Sequence, residues 1–237
     1  MLRFYYVIII STPLIITYLI TCYWIEKHAA SYTEQDRYRV AQHYVRLLKR
    51  NGRIDTVATG TENLPDDGGY VMFANHQGKY DSLGIINTHE KPCTFLIDEK
   101  RSHLLLVHQF ADLLRAARIN KQSIRGQVAI IKRIAEEVEE GRRYIIFPEG
   151  GYDNNQNTLQ DFLPGAFKCA MKARRPIVPV AIIDSWRPFG MNSLRRVRTQ
   201  VHYLKPLLYE EYRNLKSVEI AALVKNEIQA CLDQYAS

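Results

Sequence analysis

The stretch "YVMFANHQGKYDS", Tyr70 to Ser82, indicates the class of fold and also raises the question of function. Its first five residues are apolar or aromatic, which is typical of a strand buried on both faces of a sheet. Three ionisable residues, His76, Lys79 and Asp81, follow this run directly. A polar surface loop would account for them as well, so their interpretation depends on partners that other parts of the chain supply.

Strand-like and helix-like runs alternate along the chain from Ile54 onward. The strand-like runs are IDTVATG (54–60), YVMFAN (70–75), CTFLID (93–98), AARI (116–119), YIIFPE (144–149), IVPVAII (177–183) and VRTQVHYL (197–204). Helical patterns lie at 82–88, 103–114, 123–140, 165–173 and 218–234. Because such alternation implies crossover connections, the sequence predicts an α/β fold with a mostly parallel sheet flanked by helices.

His76 and Asp81 are able to form a hydrogen-bonded pair, and by themselves these residues are equally compatible with a histidine in a polar loop. On a continuous helix at about 100° per residue, side chains five positions apart do not touch. Gly78 permits a tight turn between them, across which Asp81 can accept a hydrogen bond from one imidazole nitrogen. The other nitrogen is then free to take a proton, as a general base requires.

A second stretch, "YIIFPEGGYDNN" (144–155), ends another buried strand in Glu149, Gly150 and Gly151. Adjacent glycines let backbone N–H groups approach a ligand, and a carboxylate beside them can bind hydroxyl groups. A plain turn uses the same residues, so this signal is weak by itself. In parallel sheets, however, ligands bind beyond the carboxyl ends of the strands, which is where both His76 and Glu149 fall.

The combination of "NHQGKYD", "FPEGG" and "PIVPVAI", in this order, resembles the glycerolipid acyltransferase family, whose best-known members are 1-acylglycerol-3-phosphate acyltransferases of bacterial membranes. The resemblance covers residues 64–183. It implies a membrane-associated enzyme that moves an acyl group from an acyl thioester to a lysophospholipid hydroxyl, converting lysophosphatidate to phosphatidate in phospholipid biosynthesis. It also implies His76 as general base, Asp81 as the group that orients it, and Glu149 and Gly150 as acceptor-binding residues.

The residue types suit this reaction. A hydroxyl group must lose its proton as it attacks the thioester carbonyl, and one base with a pKa near neutrality suffices. Backbone N–H groups near Gly78, or at the start of the following helix, are expected to stabilise the oxyanion. The chain has no GxSxG sequence, so a serine-hydrolase triad is not predicted. No cofactor is expected; acyl-CoA or acyl carrier protein delivers the acyl group as co-substrate.

The chain departs from the family pattern at two places, which bear on the acceptor more than on the reaction. Gly151 and Tyr152 stand where the family usually has threonine and arginine after FPEG. In the middle block, Asn120 and Lys121 replace an aspartate–arginine pair. Lys121 is therefore the predicted ligand of the acceptor phosphate, as a point charge without the fork of arginine. Lys79 and Lys168 are the alternatives.

The N-terminal segment "FYYVIIISTPLIITYLITCYWI", Phe4 to Ile25, carries no charge and is long enough to cross a hydrocarbon core of about 30 Å. No small-x-small cleavage site follows it, so a retained membrane helix is predicted rather than a signal peptide. Lysine and arginine are far more frequent after this segment than before it. The positive-inside rule then places the catalytic domain on the cytoplasmic side of the cell membrane.

The next segment, 33–50, is predicted to be a basic amphipathic helix that begins with a capping box, Thr33 and Asp36. It either lies on an anionic bilayer or packs on the domain, and the sequence leaves both open. The predicted organisation is thus 1–53, N-terminal membrane-anchoring helices, and 54–237, an acyltransferase domain.

Composition leaves several partners possible and makes others unexpected. Lys+Arg is 32 against Asp+Glu 25, a net charge of +7 that suits anionic partners such as a phospholipid surface. The four cysteines are far apart, and no histidines lie at metal-ligand spacing, so neither a disulfide scaffold nor a metal site is predicted. Nucleic acid is not expected, because no basic-aromatic motif is present. Acylation of a different lipid acceptor, or a non-catalytic lipid-binding role, remains as the alternative.

Overall fold

The seven strand-like runs all form strands of one sheet in the computed structural model, which describes residues 2–235. The strands are β1 (Ile54–Thr59), β2 (Tyr70–Ala74), β3 (Thr94–Asp98), β4 (Ala117–Ile119), β5 (Arg143–Ile146), β6 (Ile177–Ile183) and β7 (Val197–Tyr203). Their order across the sheet is β1-β7-β6-β2-β5-β3-β4. All neighbouring pairs are parallel except β6 and β7, which confirms the predicted mostly parallel sheet.

Helices cover both faces of this sheet. They are α1 (Leu2–Ile10), α2 (Thr12–Lys27), α3 (Glu34–Asn51), α4 (Asp81–Thr88), α5 (Val107–Leu113), α6 (Ile124–Glu139), α7 (Lys168–Ala173), α8 (Arg187–Gly190), α9 (Tyr209–Tyr212) and α10 (Ser217–Gln234). One face packs on α6, α7 and α10, and the opposite face packs on α2 to α5. The result is three layers, with the sheet in the middle.

Strand β2 shows why its sequence is a continuous apolar run. Val71 and Phe73 belong to the core on the α6 side, whereas Tyr70, Met72 and Ala74 belong to the core on the α4 side. All five side chains are fully buried, because successive side chains in a strand point to opposite faces and both faces are covered. The polar residues after Ala74 therefore emerge from the middle of the sheet.

Helix α3 begins at the predicted capping box. The Thr33 hydroxyl accepts a hydrogen bond from the Asp36 N–H at 3.1 Å, and the Asp36 carboxylate accepts one from the Thr33 N–H at 3.1 Å. Its apolar side chains Tyr38, Ala41 and Val45 are buried in the core on the α4 side. Of the two alternatives for this helix, the structure therefore shows the one in which its apolar face packs on the domain.

The predicted single membrane helix, Phe4 to Ile25, is instead two helices, α1 and α2, bent by 65°. The break follows from Pro13 in the first turn of α2, since proline lacks the N–H that would continue the hydrogen bonding of α1. Within residues 2–235, no one helix has both the length and the hydropathy of a membrane span. The bent pair meets these criteria jointly, as buried core helices and signal sequences also do.

The same N-terminal pair is attached to the domain. Arg3 is fully buried, and its guanidinium donates hydrogen bonds to the carbonyls of Ser193 at 3.0 Å, Arg195 at 2.5 Å and Gly52. On α2, one face of the helix lies in the core on the α4 side through Tyr18, Cys22 and Ile25. The N-terminal segment is therefore packed on the folded domain, through Arg3 and through one face of α2.

A buried histidine beside β2 makes folding stability depend on pH. His89 is fully buried, its Nε2 2.6 Å from the Tyr70 hydroxyl and its Nδ1 2.7 Å from the Lys91 carbonyl. Burial lowers the pKa of His89 from 6.5 to about 4. Between these two pH values, the unfolded chain binds a proton at this residue that the folded protein does not bind.

We therefore expect this contribution to the free energy of unfolding to be complete above about pH 6.5 and to decline as the pH falls toward about 4. The slope from one such group is at most about 1.4 kcal/mol per pH unit. Denaturant unfolding of wild type and His89→Gln across this range measures it, and the wild type should lose more stability. An equal pH dependence in both proteins would contradict the assignment.

Candidate active site

Three loops meet at one edge of the sheet. Strands β2, β5, β3 and β4 are parallel neighbours, so their carboxyl ends lie together. His76 follows β2, Glu149 follows β5 and Lys121 follows β4. The topology therefore brings together the residues that the sequence places just beyond separate strands.

His76 and Asp81 are in direct contact. His76 Nδ1 lies 2.6 Å from Asp81 Oδ2, and the same carboxylate oxygen accepts the N–H groups of Gln77 at 2.6 Å and Gly78 at 2.9 Å. Asp81 is fully buried as the first residue of α4. Because the carboxylate accepts from Nδ1–H, the His76 Nε2 carries the free lone pair, and no residue among 2–235 is hydrogen-bonded to it.

Two aromatic rings hold the imidazole in place. The His76 ring stacks on Phe147 with centroids 4.3 Å apart and meets the edge of Tyr152 at 4.6 Å. Its side chain remains 18% exposed, so a substrate can reach it. The ring is thus fixed on two sides and by Asp81, while its Nε2 is accessible.

Two of the N–H groups near Gly78 are already used within the chain and are not available to an oxyanion, whereas a role for the N–H groups at the start of α4 stays a prediction. Those of Gln77 and Gly78 both donate to the buried Asp81 carboxylate, which needs donors of its own. In the described part of the chain, the N–H groups of Gly151 and Tyr152 donate no hydrogen bond. A Cβ added at Gly151 would meet nothing within 4 Å, so there is open space beside this residue.

Glu149 connects the loop after β5 to the loop after β2. Its Oε1 accepts the His76 N–H at 3.0 Å, and its Oε2 accepts from the Gln160 amide at 2.9 Å. Burial raises the pKa of Glu149, and the hydrogen bonds from His76 and Gln160 oppose that shift. Both oxygens are therefore engaged within the chain itself, and the predicted contact of Glu149 with the acceptor stays a prediction.

Lys121 contacts the turn that Gly150 forms after β5. Gly150 adopts a left-handed conformation with φ +72°, and a Cβ there would lie 2.9 Å from Leu163 Cδ1. The Gly150 carbonyl accepts a hydrogen bond from Lys121 Nζ at 2.5 Å, and this ammonium is 3.8 Å from Asp98 Oδ2. The structure thus places the predicted Lys121 at the same edge as His76.

Arg101 is a site residue that sequence reasoning missed. Its guanidinium lies 5.3 Å from the centroid of the Tyr152 ring, and its backbone N–H donates to Asp98 Oδ1 at 3.1 Å. The guanidinium forms no ion pair with any residue among 2–235. Tyr152, which stands at the position of the family's arginine, therefore carries a cation on its ring. The sequence signal that could have identified Arg101 is its position just after β3, because the carboxyl end of β3 lies at the same sheet edge as His76.

The two alternative lysines are placed elsewhere. Lys79 Nζ lies 4.4 Å from the centroid of the Phe4 ring, so this side chain faces the N-terminal helices. Lys168 is exposed at the start of α7, in the layer formed with α6 and α10. No contact described for either lysine reaches His76 or Lys121.

The carboxylates of this edge are arranged for hydrogen bonding to the chain. Within residues 2–235, no three His, Cys, Asp or Glu side chains are grouped so that they could hold a metal ion. Asp81 accepts three hydrogen bonds, and Glu149 uses both oxygens. The chemistry that this arrangement supports is proton transfer through the imidazole.

Residues 55–183 match the family model described as "Acyltransferase". The chain belongs to the acyltransferase family. The matched region covers more than half of the chain and contains His76, Asp81 and the whole turn after β5. The protein is therefore an acyltransferase, and the family resemblance drawn from the sequence is confirmed.

Curated relatives extend along most of the chain. The 1-acyl-sn-glycerol-3-phosphate acyltransferase of Borreliella burgdorferi is 27% identical over 180 residues, which is 73% of this chain and 71% of the relative. The probable 1-acyl-sn-glycerol-3-phosphate acyltransferase of Mycoplasma pneumoniae is 24% identical over 240 residues, 94% of this chain and 88% of the relative.

The fold also has a counterpart of known structure. The crystal structure of the 1-acyl-sn-glycerophosphate (LPA) acyltransferase PlsC from Thermotoga maritima superposes with a TM-score of 0.77, covering 100% of this chain and 95% of that one. Sequence identity is 17%, so this similarity establishes the fold alone.

Proposed function

We propose that the protein transfers an acyl group from an acyl thioester to the free hydroxyl of lysophosphatidate, giving phosphatidate. The observation that carries this proposal is the His76 imidazole, oriented by Asp81 with its Nε2 free, at the same sheet edge as the cations Arg101 and Lys121. The base suits a hydroxyl nucleophile, and the cations suit a phosphate monoester. The names of the relatives agree with this acceptor.

The proposed reaction is a direct attack. His76 Nε2 takes the proton of the acceptor hydroxyl while its oxygen bonds to the thioester carbonyl carbon. The C–S bond then breaks, and the thiolate leaves with the proton from the imidazolium, so His76 returns to its neutral form. Asp81 stabilises the transient imidazolium through Nδ1. The N–H groups of Gly151 and Tyr152, which donate no hydrogen bond within residues 2–235, are the proposed donors to the oxyanion.

The acyl donor is acyl-CoA or acyl carrier protein, and no further cofactor takes part in this scheme. Purified protein in detergent is incubated with each of the two donors in turn. The acceptors offered are lysophosphatidate, lysophosphatidylcholine and glycerol 3-phosphate, so the experiment tests both the acceptor and the donor. Mass spectrometry should show phosphatidate as the main product. Equal acylation of lysophosphatidylcholine would instead favour the alternative, an acyltransferase whose acceptor needs no phosphate monoester.

Removal of either cation should weaken acceptor binding. We expect Arg101→Ala and Lys121→Ala each to raise the acceptor KM by about ten- to a hundredfold, because a charge-assisted contact contributes about 1.5–3 kcal/mol. The kcat should fall less, and the donor KM should hardly change, as for a loss of uniform binding. Steady-state kinetics with lysophosphatidate and a fixed donor measure all three constants.

Lys79→Ala and Lys168→Ala are the matched controls, since both remove an exposed lysine away from Tyr152. These two variants should leave the acceptor KM unchanged. If they raise it while Arg101→Ala and Lys121→Ala do not, the phosphate lies elsewhere. If none of the four variants matters, the lysophosphatidate assignment is wrong and acyl transfer to another acceptor remains.

The protein is further proposed to work at the surface of a phospholipid bilayer, with its catalytic domain on the cytoplasmic side. Helix α2 supports this, because the face opposite its buried residues presents Ile16, Ile20, Tyr23 and Trp24 with 53%, 63%, 68% and 55% of their surfaces exposed. Their spacing puts them on one side of the helix. Exposed apolar surface of this kind, with aromatic residues at one end, suits the membrane interface.

Introducing negative charges on the exposed face of α2 should weaken binding of the protein to lipid vesicles. We expect the double variant Ile16→Glu/Ile20→Glu to bind phosphatidylglycerol vesicles roughly tenfold or more weakly, because two apolar side chains no longer enter the interface. Vesicle flotation measures the change. Val218→Glu, an equally exposed position on α10, is the control. Equal flotation of both variants would refute the membrane role of α2. Deletion of the segment is less suitable, since Ile25 belongs to the core.

A further inference from the structure

A cavity opens at the sheet edge opposite to His76. Its volume is about 500 Å³, and it lies between α3, the end of α5 and the turn from α6 to β5. Cys93 and Arg142, which line it, directly precede β3 and β5. The cavity is therefore at the amino ends of the strands, whereas His76 and Glu149 are at the carboxyl ends. Four to five strand residues at about 3.3 Å each separate the two edges.

Arg37 lines this cavity with unmet hydrogen-bonding capacity. Its side chain is only 5% exposed, yet its one described hydrogen bond is from Nη2 to the Ala29 carbonyl at 3.3 Å. Its buried Nε has no partner among residues 2–235, and no carboxylate there forms an ion pair with it. A buried guanidinium without such partners is costly, so a ligand that supplies acceptors would be stabilised here.

Arg115 is the second unpaired cation of the cavity. Arg37 and Arg115 both line this cavity. Burial lowers the pKa of Arg37, and Glu26 opposes that shift. The Arg115 side chain is exposed, and in the described part of the chain it has no hydrogen-bond acceptor. Two guanidinium groups with free donors that line one cavity are suited to binding an oxyanion.

The other arginines of the cavity are already paired. Arg142 contacts Glu34 at 2.9 Å and Glu137 at 2.5 Å, and Arg133 contacts Glu137 at 2.7 Å. These carboxylates make the walls unsuitable for a polyanion, which they would repel. A ligand with one phosphate group, directed at Arg37 and Arg115, avoids them.

We propose that this cavity binds a single phosphate group, carried by a lipid head group or present as free phosphate, between the guanidinium groups of Arg37 and Arg115. Apolar residues, Leu113 and Leu114, also line the cavity and suit the body of a phosphorylated molecule. The volume falls within the range of about 300–1,000 Å³ of small-molecule sites. This site is separate from the proposed acceptor site and does not depend on it.

Inorganic phosphate is the first probe, used on the full chain in detergent with calorimetric titration. The double variant Arg101→Ala/Lys121→Ala serves as background, because it removes the cations of the acceptor site. In that background, phosphate binding should persist, and the further change Arg115→Gln should weaken it about tenfold or more. Arg115 is chosen because it is exposed, so its replacement leaves the core intact, whereas Arg37 is buried.

Arg174→Gln is the matched control. Like Arg115, Arg174 is an exposed arginine in a left-handed conformation, with φ 52° against 50°, but it lies outside the cavity. A second arm compares phosphatidate vesicles with phosphatidylcholine vesicles. Arg115-dependent binding of inorganic phosphate identifies free phosphate as a source, and Arg115-dependent binding of phosphatidate vesicles identifies a lipid head group. If neither probe binds in the background variant, or Arg115→Gln and Arg174→Gln behave alike with both, the site does not exist.

Discussion

Replacing His76 by alanine is expected to lower the kcat of acyl transfer by about 10²–10⁴-fold, the range that a general base contributes. Its Nε2 is the accessible proton acceptor beside the open Gly151–Tyr152 turn, and Asp81 fixes its orientation. The ring lies in the loop after β2 rather than in either core. The change should therefore leave folding intact, which circular dichroism and thermal unfolding check alongside the initial rates.

His108 provides a matched control for this substitution. It is also a histidine beside an aspartate, with Nε2 3.2 Å from Asp112 Oδ2, but it lies on α5 and its side chain is 45% exposed. His108→Ala should keep nearly the wild-type rate. Near-normal turnover in His76→Ala, with the protein folded, would remove His76 from the reaction altogether.

Asp81→Asn is expected to lower kcat by about 10³–10⁴-fold, although it changes hardly any volume. The carboxylate now accepts Nδ1–H and so leaves the lone pair on Nε2. An asparagine whose NH₂ group faces the ring would donate to Nδ1 and move the proton to Nε2, which destroys the base. Initial rates at saturating acceptor measure this effect, since the acceptor KM should change little.

The same substitution at Asp112, the partner of His108, separates this effect from a general loss of charge. Asp112→Asn should retain most of the activity, because the pair on α5 is away from the proposed base. If Asp81→Asn keeps more than about a tenth of the wild-type kcat, orientation of the imidazole by Asp81 is not what drives the reaction.

Local patterns predicted the strands and the central pair of the site. Each strand is an apolar run that ends at polar or turn-forming residues, and this information is present within a few positions of the chain. The contact between His76 and Asp81 likewise depends on one turn, which Gly78 makes possible. The order of the strands was not predictable in this way, because it follows from how helices pack over the whole sheet.

The site residue and the helix bend that the sequence did not predict have physical explanations. Arg101 reaches the site only because Tyr152, about fifty residues further along, lies beneath its guanidinium. The bend between α1 and α2 was missed for a different reason. Hydropathy measures composition, whereas the break depends on the hydrogen bond that Pro13 cannot form and on Arg3, which binds the domain.

Direct transfer couples the release of free thiol from the donor to acylation of the acceptor, so thiol release reports on the proposed reaction itself. Purified protein is incubated with acyl-CoA, and a thiol-reactive dye records release before and after addition of lysophosphatidate. We predict almost no release before addition, then one thiol per phosphatidate formed, and neither product with His76→Ala. Equal release with and without lysophosphatidate, or undiminished release in His76→Ala, would contradict base-catalysed acyl transfer to this acceptor.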